Sequence, residues 1–345
     1  MSVQVLTEFF GEFNGETITR YLIKEENGIS VGIINYGASI TNIFVPDKNG
    51  ELIDVVLGFT NLDGYIEAEN IYMGSICGRY ANRIANGKFT IYNEEFHLQK
   101  NDGENTLHGG NKGLDKVIWE ANILASNNAV EFTYTSKNGE EGFPGNLIIR
   151  VRYSICKQAL HIDYTATTDK ATPVNLTSHC YFNLSGGKEE NIFNHELKLN
   201  ANRYLEVNST SIPTGELLEV KNTDYDFTEL KLIGDLHQLQ CKYDHNWVVN
   251  ESHDKLVNVA TLRYEESGIE MNVSSTAPGI HFYSGNFLNN NLINTKLPIG
   301  YKKYAGLCLE AQHFPDSPNQ PSFPNTILKP GEEYSQKTIY SFTSN

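Results

Sequence analysis

Basic residues are scarce: 27 Lys and Arg stand against 42 Asp and Glu, leaving the 345-residue chain at a net −15. A nucleic-acid binder needs a basic face for phosphates and an anionic membrane attracts the same kind of face, so both partner classes are argued against. No apolar stretch approaches the roughly 20 residues of a membrane-crossing helix. The opening Met1-Ser2-Val3-Gln4-Val5 has no basic segment followed by an apolar one, so no signal peptide is expected and a cytoplasmic location is. Cysteine is sparse. Cys77, Cys156, Cys180, Cys241 and Cys308 are odd in number, scattered and free of any Cys-x-x-Cys pair, which argues against a disulfide framework or a zinc knuckle. They read as reduced, mostly buried thiols. His-x-His and His-Glu-x-x-His spacings are missing as well, and no metal is expected.

Helical periodicity is also lacking. Apolar spacing at i, i+3, i+4 and i+7 is not sustained, and the best helix candidate is a short one near Leu62–Asn70. A parallel sheet with crossover helices is therefore disfavoured. What is present is a strand-and-turn composition, with 19 Tyr, 17 Phe, 28 Gly and 11 Pro. Leu147, Ile149, Val151, Tyr153 and Ile155 alternate with Arg150, Arg152 and Ser154, the period-2 mark of a half-buried strand. Val130, Phe132 and Tyr134, then Leu160, Ile162 and Tyr164, then Ile269, Met271 and Val273 alternate likewise, and Lys337–Phe342 is strand-like. Lys48-Asn49-Gly50, Asn86-Gly87, Lys137-Asn138-Gly139 and Pro330-Gly331 supply turns. Phe314–Pro324 carries four prolines but also aromatics, so it reads as a rigid loop and not a linker. The expectation is an all-β chain, residues 1–345 forming one large antiparallel β-sandwich domain.

Four segments break the plain strand pattern by setting polar residues among glycines and aromatics. They are Gly78-Arg79-Tyr80-Ala81-Asn82-Arg83-Ile84, Asn105-Thr106-Leu107-His108-Gly109-Gly110, Ser178-His179-Cys180-Tyr181-Phe182-Asn183-Leu184 and Leu309-Glu310-Ala311-Gln312-His313-Phe314-Pro315-Asp316. Glu310, just after strand leucines, suits a partly buried carboxylate. His179 suits a side chain at a strand's edge. The glycines after His108 allow a close backbone approach to a ligand.

In this order the segments resemble the aldose 1-epimerase (galactose mutarotase) family. Gly142-Phe143-Pro144-Gly145, Asp244-His245-Asn246-Trp247 and the run Pro278–Phe287 support the match, which extends over about residues 35–325. The resemblance implies a galactose mutarotase-like supersandwich that interconverts the α and β anomers of free aldohexoses such as galactose and glucose, without cofactor or metal, as a monomer or homodimer. Ring opening requires a base at the C1 hydroxyl and an acid at the ring oxygen. By resemblance Glu310 is the base, His179 the acid, and His108 binds near the ring oxygen and helps place charge. Free Glu and His titrate near 4.3 and 6.5, so a carboxylate–imidazolium pair is expected near neutrality. Asn82 and Arg83 are implied ligands of sugar hydroxyls, Arg83 also orienting Glu310 or the ring oxygen. Asp244 is expected to accept from hydroxyls remote from C1. Tyr181 lines the pocket or packs in the core. His281 stands where many relatives carry Gln, and as a neutral imidazole it can still donate and accept.

Other readings compete. Asp244 and Glu310 could flank a glycosidic bond as two carboxylates. His108, His179, His281 and Glu310 are plausible metal-ligand types. A non-catalytic sugar-binding module would not need Glu310 and His179. An enzyme for phosphorylated hexoses would want a basic cluster, for which only Arg79 and Arg83 are near a motif.

Overall fold

The computed structural model describes residues 3–26, 28–68, 70–124, 128–234, 243–251, 255–289, 291–298 and 300–345. The alternating run read at 147–155 is the strand Leu147–Cys156, with Leu147, Ile149, Val151, Tyr153 and Ile155 at most 4% exposed and Ile148 and Arg150 turned to solvent. Its neighbours are Ala129–Ser136 and Ala159–Thr168, in registers that set Phe132 opposite Val151 and Val151 opposite Tyr164. A slip of one residue would turn every buried side chain to solvent, so burial of one face fixes this register. Each fully buried Leu, Ile or Val here stabilises the fold by about 1.5–3 kcal/mol.

These strands belong to a nine-stranded antiparallel sheet, in the order Glu120–Leu124, Ala129–Ser136, Leu147–Cys156, Ala159–Thr168, Tyr334–Ser344, Ile269–Ser275, Val257–Tyr264, Glu196–Leu199 and Lys231–Leu232. The C-terminal strand thus lies at the centre, between segments more than 60 residues earlier in the chain. One five-stranded sheet is a meander in chain order from Val3–Phe13 to Leu52–Asp54. The second runs Pro213–Glu219, Arg203–Val207, Asp244–Val248, Gly279–Tyr283, Cys308–Gln312. A contiguous apolar core joins all three, with Val31 and Ile43 from the meander, Phe132, Val151 and Tyr340 from the large sheet, and Trp247, Phe282 and Leu309 from the other. The architecture is an antiparallel β-sandwich.

The helix expected near Leu62–Asn70 is shorter, Leu62–Glu67. Asn61 caps it by accepting from the Gly64 N–H, and by Asn70 the backbone has turned left-handed at φ 63°, which a helix cannot continue through. The Pro-rich loop is anchored by more than its prolines. The Tyr80 hydroxyl donates to the Phe314 carbonyl at 2.8 Å and accepts from the Ser317 N–H at 3.1 Å, while Phe314 packs edge-on against Phe323. Cys77, Cys180 and Cys308 are buried free thiols and Cys156 is exposed; Cys241 lies outside the described residues. Among the described residues no helix is long and apolar enough to cross a membrane.

Candidate active site

Three short pieces of backbone pairing bring the four unusual segments together. Arg83–Ile84 pairs with Thr106–Leu107, setting Arg83 opposite Leu107 and Asn82 beside His108. Thr177–Ser178 pairs with Ile76–Cys77, and His179 just beyond is held by its N–H to the Ser75 carbonyl at 2.9 Å and by its carbonyl from the Gly74 N–H at 3.0 Å. In the smaller sheet His281 faces Glu310 across one strand pair and Asp244 faces Tyr283 across the next. Alternation does the rest. Leu309, Phe282 and Trp247 enter the core, while Glu310, His281, Tyr283 and Asp244 line the opposite side.

All eight expected side chains line one cavity of about 250 Å³: Asn82, Arg83, His108, His179, Tyr181, Asp244, His281 and Glu310. Their burial is graded. Glu310, His281 and His179 are deeply buried, with side chains 2%, 4% and 6% exposed, and Arg83, Asp244 and Asp102 are more open at 11%, 20% and 36%. The His179 Nε2 lies 3.7 Å from the Glu310 Oε1, and the buried Glu310 Oε2 has no hydrogen-bond partner. An unpaired buried carboxylate oxygen costs free energy until something donates to it.

Burial reverses the charge state expected from free side chains. Desolvation pushes the Glu310 carboxyl well above its usual range, with Asp244 adding to the rise and Arg83 opposing it. Desolvation likewise lowers His179 to about 4, and His281 adds to that fall. The site without sugar therefore favours a protonated Glu310 beside a neutral His179, not a carboxylate–imidazolium pair, because each charge alone is poorly solvated there. His108 is also lowered, first by burial and then by His179 and Arg83. Asp244 behaves oppositely. Burial would raise it, but the His281 hydrogen bond and the Arg83 charge outweigh that and hold its carboxyl below the usual range.

The hydrogen bonds assign roles to ring atoms. The Asn82 backbone N–H donates to the His108 Nδ1 at 3.2 Å. With Nδ1 accepting, a neutral His108 carries its proton on Nε2 and is a donor. His281 links Asp244 and Asn82: its Nε2 is 2.8 Å from the Asp244 Oδ1, and its Nδ1 is 3.4 Å from the Asn82 Nδ2. Arg83 bonds Asp102 through Nε at 2.7 Å and reaches the Asp244 Oδ2 at 3.5 Å, so its partners are these two acids and not Glu310. The Tyr181 hydroxyl donates to the Ile71 carbonyl at 3.0 Å and its ring stands 5.1 Å from that of His179, so it is both wall and packing.

Rival readings lose ground here. Asp244 has one oxygen on His281 and the other facing Arg83, so both are engaged by the polar wall of the cavity. His108, His179 and Glu310 bring ligand-type atoms within 4.8 Å of one another. A metal would need the His108 Nε2 lone pair, which the Asn82-to-Nδ1 bond assigns to a proton. Arg79 is buried outside the cavity, donating to Ser136 and to the carbonyls of Lys137 and Pro144, and offers nothing to a phosphate. Gly109 serves the fold more than a ligand: φ is +96°, and a Cβ there would stand 1.9 Å from the Gly78 carbonyl oxygen.

Several lining residues escaped the sequence reading, among them Tyr72, Asp102, Tyr283 and Phe287. Tyr283 and Phe287 lie inside the quoted run Pro278–Phe287, where strand alternation from His281 could have singled out Tyr283. Asp102 sits in a plain polar turn, and Tyr72 in a segment without motif.

A buried acid, two buried imidazoles and a hydrogen-bonded polar wall, carried on an all-β sandwich, define an enzyme of the proton-transfer class. A family model described as aldose 1-epimerase matches residues 19–341. The galactose mutarotase of Mus musculus is 42% identical over 347 residues, covering 99% of each chain. Among solved structures, an aldose epimerase homologue from C. elegans aligns over 99% of each chain at 28% identity and a TM-score of 0.87. The galactose 1-epimerase of Lactobacillus acidophilus aligns over 100% of each chain at 26% identity and 0.85. The chain belongs to the aldose 1-epimerase family, and its fold is the galactose mutarotase-like sandwich.

Proposed function

We propose that this isomerase interconverts the α and β anomers of a free aldohexose such as galactose or glucose, in the cytoplasm, with Glu310 and His179 moving the protons. The observation that carries the reading is the buried pair itself: Glu310 with an unpartnered Oε2, and the His179 Nε2 3.7 Å from its Oε1.

The pair holds one proton whichever member carries it. A C1 hydroxyl donating to the Glu310 Oε2 supplies the missing hydrogen bond and favours the carboxylate. A ring oxygen accepting from the His179 Nε2–H favours the imidazolium. Glu310 then takes the C1 hydroxyl proton, His179 delivers its proton to the ring oxygen, and the bond between C1 and that oxygen breaks to give the aldehyde. Rotation about C1–C2 presents the other face, and the same transfers in reverse close the ring. His108, a donor through Nε2–H, stabilises the ring oxygen as charge shifts there. Asp244, Arg83 and Asn82 bind hydroxyls further from C1. A neutral sugar fits this wall of hydrogen-bonding groups, in which the Arg83 charge is matched by Asp102 and Asp244. The continuous core spanning Ile23 to Phe342 supports reading residues 1–345 as one domain.

The test is polarimetry of freshly dissolved α-galactose and α-glucose. Acceleration over buffer is expected, undiminished by exhaustive chelation. No acceleration with either sugar sinks the proposal, and release of a monosaccharide from a glycoside would replace it with hydrolysis.

A further inference from the structure

We propose that Tyr72 is a positioning residue for the proton-transfer imidazoles, anchored from behind by Asp115 across a second, smaller cavity. This deepens the mutarotase reading and rests on it. Four observations meet at this side chain. Its ring centroid lies 4.5 Å from that of His108 and 5.6 Å from that of His179, so it touches both. Its backbone is left-handed at φ 55°, a conformation an aromatic residue adopts only when its surroundings impose it. The Ser75 N–H and hydroxyl impose it, both donating to the Tyr72 carbonyl, at 3.1 and 3.0 Å. The Tyr72 hydroxyl is buried without a hydrogen-bond partner.

A second cavity lies beside the same residue. Tyr72 lines the active-site cavity and also a second one of about 20 Å³ that Ser75, Asp115 and Lys116 share. Asp115 is 7% exposed, with Oδ2 3.2 Å from the Lys116 ammonium and Oδ1 unpartnered. Two residues that each carry an unpartnered buried polar atom thus line one small space. Its volume exceeds the roughly 10–15 Å³ that one water needs. A water accepting from the Tyr72 hydroxyl and donating to the Asp115 Oδ1 satisfies both groups. The Lys116 ammonium, 5.5 Å from the ring centroid, adds a cation–π contact to the anchor. With its hydroxyl held, the ring presses His108 toward the Asn82 N–H that sets its tautomer, and limits the swing of His179 toward Glu310. Errors of about 1 Å in such placement can cost two orders of magnitude in rate.

The experiment compares Tyr72→Phe, Tyr72→Leu and Asp115→Asn in the full chain, in wild-type and His108→Asn backgrounds. Tyr72→Phe and Asp115→Asn are each expected to lower kcat about tenfold with KM for galactose unchanged, and to be no worse combined. Tyr72→Leu is expected to lower kcat about a hundredfold, with Tyr72→Phe recovering part of that loss. In the His108→Asn background the effect of Tyr72→Phe should shrink to less than threefold. NMR of the His108 Cε1–H at neutral pH, which needs no activity, should show a shifted ring-current position in Tyr72→Phe and Asp115→Asn. If the wild type accelerates no sugar, the mutarotase reading fails while this NMR arm still tests Tyr72. Equal losses in both backgrounds, a rise confined to KM, or an unmoved His108 resonance overturns the proposal.

Discussion

Replacing Glu310 by Gln should slow the reaction and yet make the protein relatively more stable as pH rises. Glu310 is 1% exposed and one of its carboxyl oxygens has no partner, so the amide fits the same space. Loss of the base removes a proton-transfer contribution of 10²–10⁴ in kcat, about 3–5 kcal/mol of barrier at 1.36 kcal/mol per decade. Stability follows from linkage. The folded-state pKa is raised above the unfolded one by burial, so below about pH 4.3 the carboxyl is neutral in both states and costs nothing. As pH climbs past that value the unfolded chain releases its proton first, and wild type loses about 1.4 kcal/mol per pH unit until the folded group also titrates. Gln has no such loss. At ~2.1 cal/mol/K of unfolding entropy per residue over 345 residues, 1 kcal/mol is about 1.4 °C of Tm. The Tm difference between Glu310→Gln and wild type should therefore move in the variant's favour by about 2 °C per pH unit from about pH 4.5 up to the pH at which the folded carboxyl titrates. Polarimetry gives the rate and scanning calorimetry between pH 4.5 and 8 gives the Tm. A variant with near-normal kcat, or a Tm difference that does not change with pH, refutes the assignment of Glu310 as the buried base.

Three further outcomes are expected. His179→Asn should cost 10²–10⁴ in kcat; in addition, because burial lowers His179 to about 4, the wild type loses stability as pH falls from 6.5 toward 4, on the order of 3 kcal/mol, and the variant's Tm should fall less over that range than the wild type's. His281→Gln keeps one donor for Asp244 and one acceptor for Asn82, so kcat should stay within about threefold while the galactose-to-glucose ratio of kcat/KM shifts; His281→Phe strands the Asp244 oxygen and should raise KM about tenfold or more, at about 1–3 kcal/mol, and an unchanged KM would show that the bridge is idle. Gly109→Ala sets a Cβ 1.9 Å from the Gly78 carbonyl oxygen at φ +96° and should cost more than about 4 kcal/mol, read as a lowered urea midpoint or insoluble expression; a wild-type midpoint would mean the loop is free to move.

The strands were legible because their signal is local. The alternation at 147–155 needs only that one face be buried, and the strand Leu147–Cys156 agrees to within a residue. The short helix was legible in place but not in length, since its end depends on a left-handed turn that a Leu62–Asn70 window does not encode. Sheet order was not legible. Nothing in Lys337–Phe342 says that it pairs with both Ala159–Thr168 and Ile269–Ser275, because partner choice is a long-range competition among strands of similar pattern. Among the site residues, Glu310, His179 and His108 announced themselves as polar groups in apolar or glycine-rich company. Tyr72 and Asp102 did not, because an aromatic or an acid in an ordinary loop carries no mark until folding sets it against an imidazole or a guanidinium.

The sequence by itself determined the chemical vocabulary: an acidic chain suited to a neutral ligand, many strands with one apolar face, and a carboxylate and histidines set in apolar or glycine-rich runs. Tertiary structure decided the electrostatics. It buried Glu310 and His179 together, so that desolvation moves the proton onto the acid, the reverse of what their free pKa values suggest. It matched Arg83 with Asp102 and Asp244, turned His281 into a bridge, and left a second, smaller cavity beside Tyr72. Charge state depends on which groups share a low-dielectric space, and that sharing is a property of the assembled sheets, not of any one segment.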